Sequence, residues 1–168
     1  MTQEIWEKIR DCEMLLIGIG TQLAVREENE QQIDQVYDVL DRLAKKKNCF
    51  VITSNTDGKL LDGRIFRLLA AAPKLEGQEK QWDAYMNWLS CSLTHSLTIL
   101  ELGEGFADPM VMRWPFERVV AMHQKACLIR VHPQLYQIPE EQKKRCFGIQ
   151  QDCVSFAGEL DERIKELS

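Results

Sequence analysis

No apolar run in this 168-residue sequence approaches the length of a membrane-spanning helix, and the start Met1-Thr2-Gln3-Glu4 lacks a basic region followed by an apolar one. A cytoplasmic protein with no membrane partner is the expectation. The six cysteines, Cys12, Cys49, Cys91, Cys127, Cys146 and Cys153, include no Cys-x-x-Cys pair, the spacing used by zinc ribbons and redox motifs. They read as reduced, mostly buried small hydrophobes, and no structural metal is expected. Positive charge is not in excess either. The 21 Lys and Arg face 26 Asp and Glu, and the net charge of -5 argues against a broad nucleic-acid surface while leaving room for a local cationic pocket. Small molecules or proteins are the expected partners. Without an internal repeat, low-complexity tract or linker, residues 1–168 read as one domain.

What the chain does carry is an ordinary globular composition, 45% apolar and 28% charged, and one organising stretch, Met14-Leu15-Leu16-Ile17-Gly18-Ile19-Gly20-Thr21. Four uninterrupted apolar residues closed by glycine suit a strand buried on both faces, in the middle of a sheet. The glycines at its carboxyl end allow a sharp turn and a close approach of backbone N–H groups to a bound anion, usually a phosphate. The plainer alternative, a tight strand exit and nothing more, stays open on this stretch alone.

In chain order, Gln3 to Arg10 places Ile5, Trp6 and Ile9 on one helical face, and Met14 to Ile17 form the first strand. Ile33, Val36, Tyr37, Leu40 and Leu43 mark an amphipathic helix that closes with Lys45-Lys46-Lys47, a solvated cationic cap. Cys49 to Thr53 is a second buried strand, so the chain opens as a parallel sheet with crossover helices. Its exit, Thr53-Ser54-Asn55-Thr56-Asp57-Gly58, lies where an open α/β sheet keeps a ligand, although turn chemistry explains the same residues. A short strand is expected over Arg64 to Leu69 and a loop over Pro73 to Lys80. Trp82, Tyr85, Met86, Trp88, Leu89 and Leu93 then mark a helix whose aromatic stripe is core or, alternatively, a dimer face. Leu97 to Leu102 is a strand with a second glycine-bearing exit, Gly103-Glu104-Gly105, and two coincident exits strengthen the dinucleotide reading. A helix over Pro115–Met122, a strand over Cys127–Val131, a short helix over Pro139–Arg145, an edge strand over Phe147–Ile149 and a helix over Cys153–Leu167 complete the chain.

Ile17-Gly18-Ile19-Gly20-Thr21-Gln22-Leu23-Ala24, Thr53-Ser54-Asn55-Thr56-Asp57 and the segments between Trp82 and Pro115 together resemble the sirtuins, the silent-information-regulator family of NAD-dependent deacylases, in a bacterial branch. The resemblance implies a sirtuin-type, three-layer Rossmann-like α/β fold with a mostly parallel sheet of five or six strands, helices on both faces, and no zinc-ribbon domain. It implies NAD or ADP-ribose as the ligand. Gly18, Ile19, Gly20 and Thr21 would line the diphosphate, and Thr53, Asn55 and Asp57 would approach the nicotinamide and its ribose. Gly103, Glu104 and Gly105 would border the phosphates and the adenine-side ribose, with His132 near the adenosine. Asn55 and Asp57 are the candidate catalytic residues.

The sequence also departs from the family. Val25 to Glu30 runs almost directly into a helix where sirtuins carry a Phe-Arg lid, Gly58 to Gln81 contains no histidine to serve as general base, and no cysteine lies between Asp57 and Trp82. The family's Gln and Ser are Ser54 and Ala24 here, and Glu104 sets a negative charge beside the expected phosphates. His95, His123 and His132 read as structural or exposed, while Arg113 and Arg130 are candidate phosphate cations, with a surface place for Arg113 and a carboxylate partner for Arg130 as alternatives. A binding protein without ordinary deacylase activity is therefore expected. The alternatives are a minimal NAD-consuming enzyme (glycohydrolase, ADP-ribosyltransferase or deacylase) that uses Asp57 or Glu104, and an interaction scaffold that pairs with a second copy or a partner protein.

Overall fold

The computed structural model describes residues 1–62, 66, 68–71 and 76–167. Helix α1, Gln3–Asp11, starts where the Thr2 hydroxyl accepts the Ile5 amide, and it buries Ile5, Trp6 and Ile9. Strands β1 (Met14–Ile19) and β2 (Asn48–Thr53) are joined by helix α2 (Glu30–Lys45). After β2 come the single-turn helix α3 (Gly58–Leu61), strand β3 (Leu69–Ala71), helix α4 (Glu79–Cys91), strand β4 (Leu97–Leu102), helix α5 (Arg113–Met122) and strand β5 (Ala126–Val131). Strand β6 (Cys146–Ile149) and helix α6 (Cys153–Ile164) close the chain.

The described strands form one six-stranded sheet, parallel throughout, in the order β3-β2-β1-β4-β5-β6. The order reverses between β1 and β4. In open α/β sheets the carboxyl ends of the strands at such a reversal are where a ligand binds, because the chain leaves the two central strands toward opposite sides. Both faces are covered, which is why the strands read as unbroken apolar runs. Leu15, Ile17 and Ile19 pack with Leu100, Leu102, Ile129 and Val131 under α1, α2 and α6, whereas Met14, Leu16, Ile99 and Leu128 pack under α4 and α5.

Several expectations change in detail. Strand β1 runs on through Gly18 to Ile19, so Gly18 is an interior residue of the strand and not part of its exit. The helix expected over Pro139–Arg145 is a single 3-10 turn at Glu140–Gln142. Arg145 is drawn back to the sheet there, its carbonyl accepting the Leu128 amide at 2.9 Å and its guanidinium donating to the His123 carbonyl at 2.7 Å. The strand expected over Arg64–Leu69 is seen at Leu69–Ala71, where Leu69 pairs with Val51, and Arg64, Ile65 and Arg67 lie outside the described residues. The loop expected over Pro73–Lys80 gives way to α4 at Glu79, and Pro73, Lys74 and Leu75 are not among the described residues.

On α4 the aromatic stripe is only partly core. Tyr85 is buried against Phe50 with ring centroids 5.4 Å apart, Trp82 and Trp88 are half-buried, and Met86 and Leu93 are exposed. Cys12, Cys49, Cys127, Cys146 and Cys153 are buried free thiols, and Cys91 is exposed. Among the described residues no helix is long and apolar enough to cross a membrane.

Candidate functional site

The exits of β1 and β4 interlock at the point of reversal. The Gly20 amide donates to the Leu102 carbonyl at 2.8 Å, and a Cβ on Gly20 would lie 2.4 Å from the Glu104 backbone nitrogen. No side chain fits between the two loops. Gly103 has φ +70, a conformation open to glycine, and a Cβ there would lie 2.7 Å from Gln22 Cβ. The Gln22 amide donates to the Gly103 carbonyl at 3.1 Å, and the Gly103 amide to Val131 at 2.9 Å.

Gly18 serves a different purpose. A Cβ on it would lie 2.5 Å from Met112 Sδ and 2.6 Å from Phe116 Cε2, so its bareness admits α5 onto the sheet. The packing of α5 is thus a sufficient reason for glycine at this position. The Ile19 side chain is likewise core, and only its carbonyl reaches the edge, where it accepts the Thr53 hydroxyl at 2.8 Å. Thr21 opens a 3-10 turn, Thr21–Leu23, and is exposed.

The β2 exit is stapled to the exit of its neighbour β1 and to that of β4, one strand further on. Thr53 Oγ1 accepts the Asn55 amide at 3.0 Å, and Asn55 Nδ2 donates to the Gly20 carbonyl at 2.9 Å. Ser54 Oγ donates to Glu104 Oε2 at 2.8 Å, across to the β4 exit. Asp57 caps α3 through Oδ1, which accepts the Leu60 amide at 3.3 Å, while its Oδ2 is buried without a partner. The Tyr37 hydroxyl donates to the Leu23 carbonyl at 2.5 Å, and burial, reinforced by the Asp57 charge, pushes its pKa up.

Glu104 is 1% exposed, and its Oε1 has no partner. Burial is the main reason that its carboxyl is pushed up to about 7; Glu101 raises it further, and Ser54, the Gly105 backbone and Arg113 pull it back. The negative charge expected at Glu104 is thus only partly present near neutral pH. Arg113 is buried and not a surface residue, and its guanidinium holds loops together. It donates to the carbonyls of Glu104 at 3.2 Å, Leu135 at 2.9 Å and Gln137 at 3.4 Å, and lies 4.1 Å from the centre of the Phe106 ring.

Arg130 takes the carboxylate alternative. Its guanidinium grips Glu101 at 2.6 and 3.1 Å and Glu117 at 2.8 Å. The register dictates this pairing, because Glu101 and Arg130 are directly opposed on β4 and β5. His132 Nδ1 accepts the amides of Gln134 at 3.0 Å and Leu135 at 2.8 Å, and burial, with Arg113 and Arg130 nearby, pushes its pKa down. His95 and His123 lie at the other end of the sheet, before β4 and β5. His123 is buried there, with Nε2 2.7 Å from the Ser92 carbonyl.

The fold therefore brings Gly20, Thr53, Asn55, Asp57, Gly103, Glu104, Gly105 and His132 to one edge of the sheet. Sequence reasoning missed Tyr37, which has the spacing of a core residue on α2, and the direct bond between Ser54 and Glu104. The place of those two at strand exits, after β2 and β4 on either side of β1, was the one available signal. Among the described residues no group of three or more His, Cys, Asp or Glu side chains is arranged to hold a metal ion.

No protein-family model matches the chain. No curated protein matches it. Among solved structures, three mutants of Sir2 homologues, each in complex with ADP-ribose, have the same fold, with TM-scores of 0.66, 0.67 and 0.66 at 9%, 10% and 10% sequence identity. Each likeness covers 99% of this chain and 97% of the other. The sirtuin-type, Rossmann-like α/β fold is the observed one.

Proposed function

We propose that this chain binds NAD or ADP-ribose at the carboxyl edge of its sheet and lacks ordinary deacylase activity. The observation that carries the binding reading is a pair of buried carboxyl oxygens without partners, Glu104 Oε1 after β4 and Asp57 Oδ2 after β2, past the ends of the two strands that flank β1. Buried polar atoms are rarely left unpaired, and these belong to residues just past the carboxyl ends of strands, the end at which an open α/β sheet takes its ligand. The sirtuin-type scaffold supports the choice of ligand, since the Sir2 homologues it matches are complexes with ADP-ribose.

The donor set fits such a molecule. Asp57 offers an acceptor for ribose hydroxyls or a carboxamide N–H, and Asn55 stands beside it at the nicotinamide end. Gly20, Thr21, Gly103, Glu104 and Gly105 would surround the diphosphate, with His132 toward the adenosine. Loss of deacylase activity follows from the catalytic parts the sequence lacks. The segment after β1 also closes on itself, Asn29 Oδ1 accepting the Arg26 amide at 2.7 Å and Asn29 Nδ2 donating to the Ala24 carbonyl at 3.2 Å, and α2 begins at Glu30.

Calorimetric titration of the folded protein with NAD and with ADP-ribose tests the binding. Micromolar affinity for both, about -8 kcal/mol, is expected, weakened about tenfold in Asp57→Asn. No heat for either ligand overturns it. Histone-peptide deacetylation that disappears in Asp57→Ala would refute the second half. One observation favours a second reading, an NAD-consuming enzyme: a carboxyl at about 7 can take or give a proton near neutral pH. Nicotinamide release from NAD that is lost in Glu104→Gln would establish it.

A further inference from the structure

Glu104 lies on the candidate ligand edge with no cation on its carboxyl. From just past β2, Ser54 gives one hydrogen bond to Oε2, and no ion pair to this carboxylate occurs among the described residues. The Arg113 guanidinium, on α5, reaches the backbone carbonyl of Glu104 and those of Leu135 and Gln137. Glu101, on β4, adds like charge, itself held by Arg130. His132, at the β5 exit, has Nδ1 occupied by two amides. Oε1 is therefore buried with nothing to bond, a costly state for a carboxylate and one that a hydrogen-bond acceptor from a ligand would relieve if the oxygen carried a proton.

An ionised Glu104 would repel a diphosphate, whereas the acid form is a donor of the kind that a buried, protonated carboxyl supplies to an oxyanion. We propose that Glu104 holds the ligand in its carboxylic acid form, Oε1–H donating to a phosphate oxygen, so that binding above neutral pH takes up one proton from solvent. This rests on the ADP-ribose reading above. Burial, the first cause of the raised pKa, puts the unliganded group at about 7, so the proton is already present at pH 6 and mostly absent at pH 8. Raising the pH from 6 to 8 then weakens binding about tenfold. His132, with its pKa pushed down, titrates below its ordinary 6.5 and affects a lower window.

The test is titration with ADP-ribose at pH 6, 7 and 8 in paired buffers of low and high ionisation enthalpy, which reads the protons taken up. Uptake near one proton per ligand at pH 8 and near zero at pH 6 is expected, with Kd rising about tenfold across the range. Glu104→Gln is expected to bind without uptake and with a Kd that no longer changes between pH 6 and pH 8. Binding by the wild type with no uptake at pH 8, or an uptake that survives Glu104→Gln, overturns the proton-linked role and leaves the ligand reading standing. An absence of heat at all three pH values overturns both. The wild-type measurement decides the matter even if the variant folds poorly.

Discussion

Glu101 and Glu104, one in β4 and one just past its end, are both buried, at 0% and 1% exposure, yet their surroundings differ. Both oxygens of Glu101 are held by Arg130, at 2.6 and 3.1 Å, in a cluster that also takes in Glu117. Glu104 has one hydroxyl on one oxygen and nothing on the other. A paired buried carboxylate belongs to the architecture, since its partner offsets the cost of removing it from water. An unpaired one at the edge of the sheet keeps unused bonding capacity, and that marks the candidate site. The contrast predicts opposite responses to mutation.

The largest effect is expected from Arg130→Ala. It removes both hydrogen bonds from the Glu101 carboxylate and leaves it in the core with only Arg113, 4.0 Å away, as a cation, a loss of about 3 kcal/mol measurable by urea denaturation. Replacing Glu101 and Arg130 together by apolar residues of similar size should recover most of that, because the uncompensated charge is then gone. A loss below about 1 kcal/mol for Arg130→Ala would erase the distinction between the two glutamates.

Glu104→Gln should stabilise the protein, and only at higher pH. The folded-state value of about 7 lies above the ordinary 4.5, so the native protein holds this proton more tightly than the unfolded chain. That contribution is complete below pH 4.5 and is lost as the pH rises to about 7, an effect of about 3 kcal/mol at most. Melting temperatures at pH 4 and pH 8 check the sign. The variant should match the wild type at the lower pH and exceed it at the higher one, and a constant difference would show that Glu104 does not titrate in this window.

Much of the architecture was legible because parallel strands covered on both faces leave unbroken apolar runs, and Met14–Ile17, Cys49–Thr53 and Leu97–Leu102 are such runs. The sirtuin resemblance rested on the exits of those strands, and the fold agrees with it. Less visible was the reason for each glycine. Gly18 and Gly20 look alike in sequence, but one makes room for Met112 and Phe116 and the other for the backbone of Glu104, contacts made far along the chain. The fate of the charges was equally hidden. Arg113 and Arg130 both read as phosphate cations until the opposition of β4 and β5 gave Arg130 to Glu101 and the packing of α5 gave Arg113 to three carbonyls. Pairing across a sheet depends on register, which one sequence shows only indirectly.

The smallest effect, and the one that most sharpens the comparison, should come from Ser54→Ala. The Ser54 hydroxyl gives the Glu104 carboxylate its side-chain hydrogen bond, at 2.8 Å, and pulls its pKa down against burial. Removing it costs about 1 kcal/mol of stability and favours the acid form of Glu104. The pH at which Glu104 loses its proton should therefore move upward, carrying the stability transition and the ligand affinity with it, while the Glu101–Arg130 pair is untouched. Following the Glu104 side-chain carbon by NMR through a pH titration of wild type and variant reads this directly. A midpoint that stays in place or falls would mean that Ser54 does not tune Glu104, and that burial and the Glu101 charge set its value without the hydroxyl.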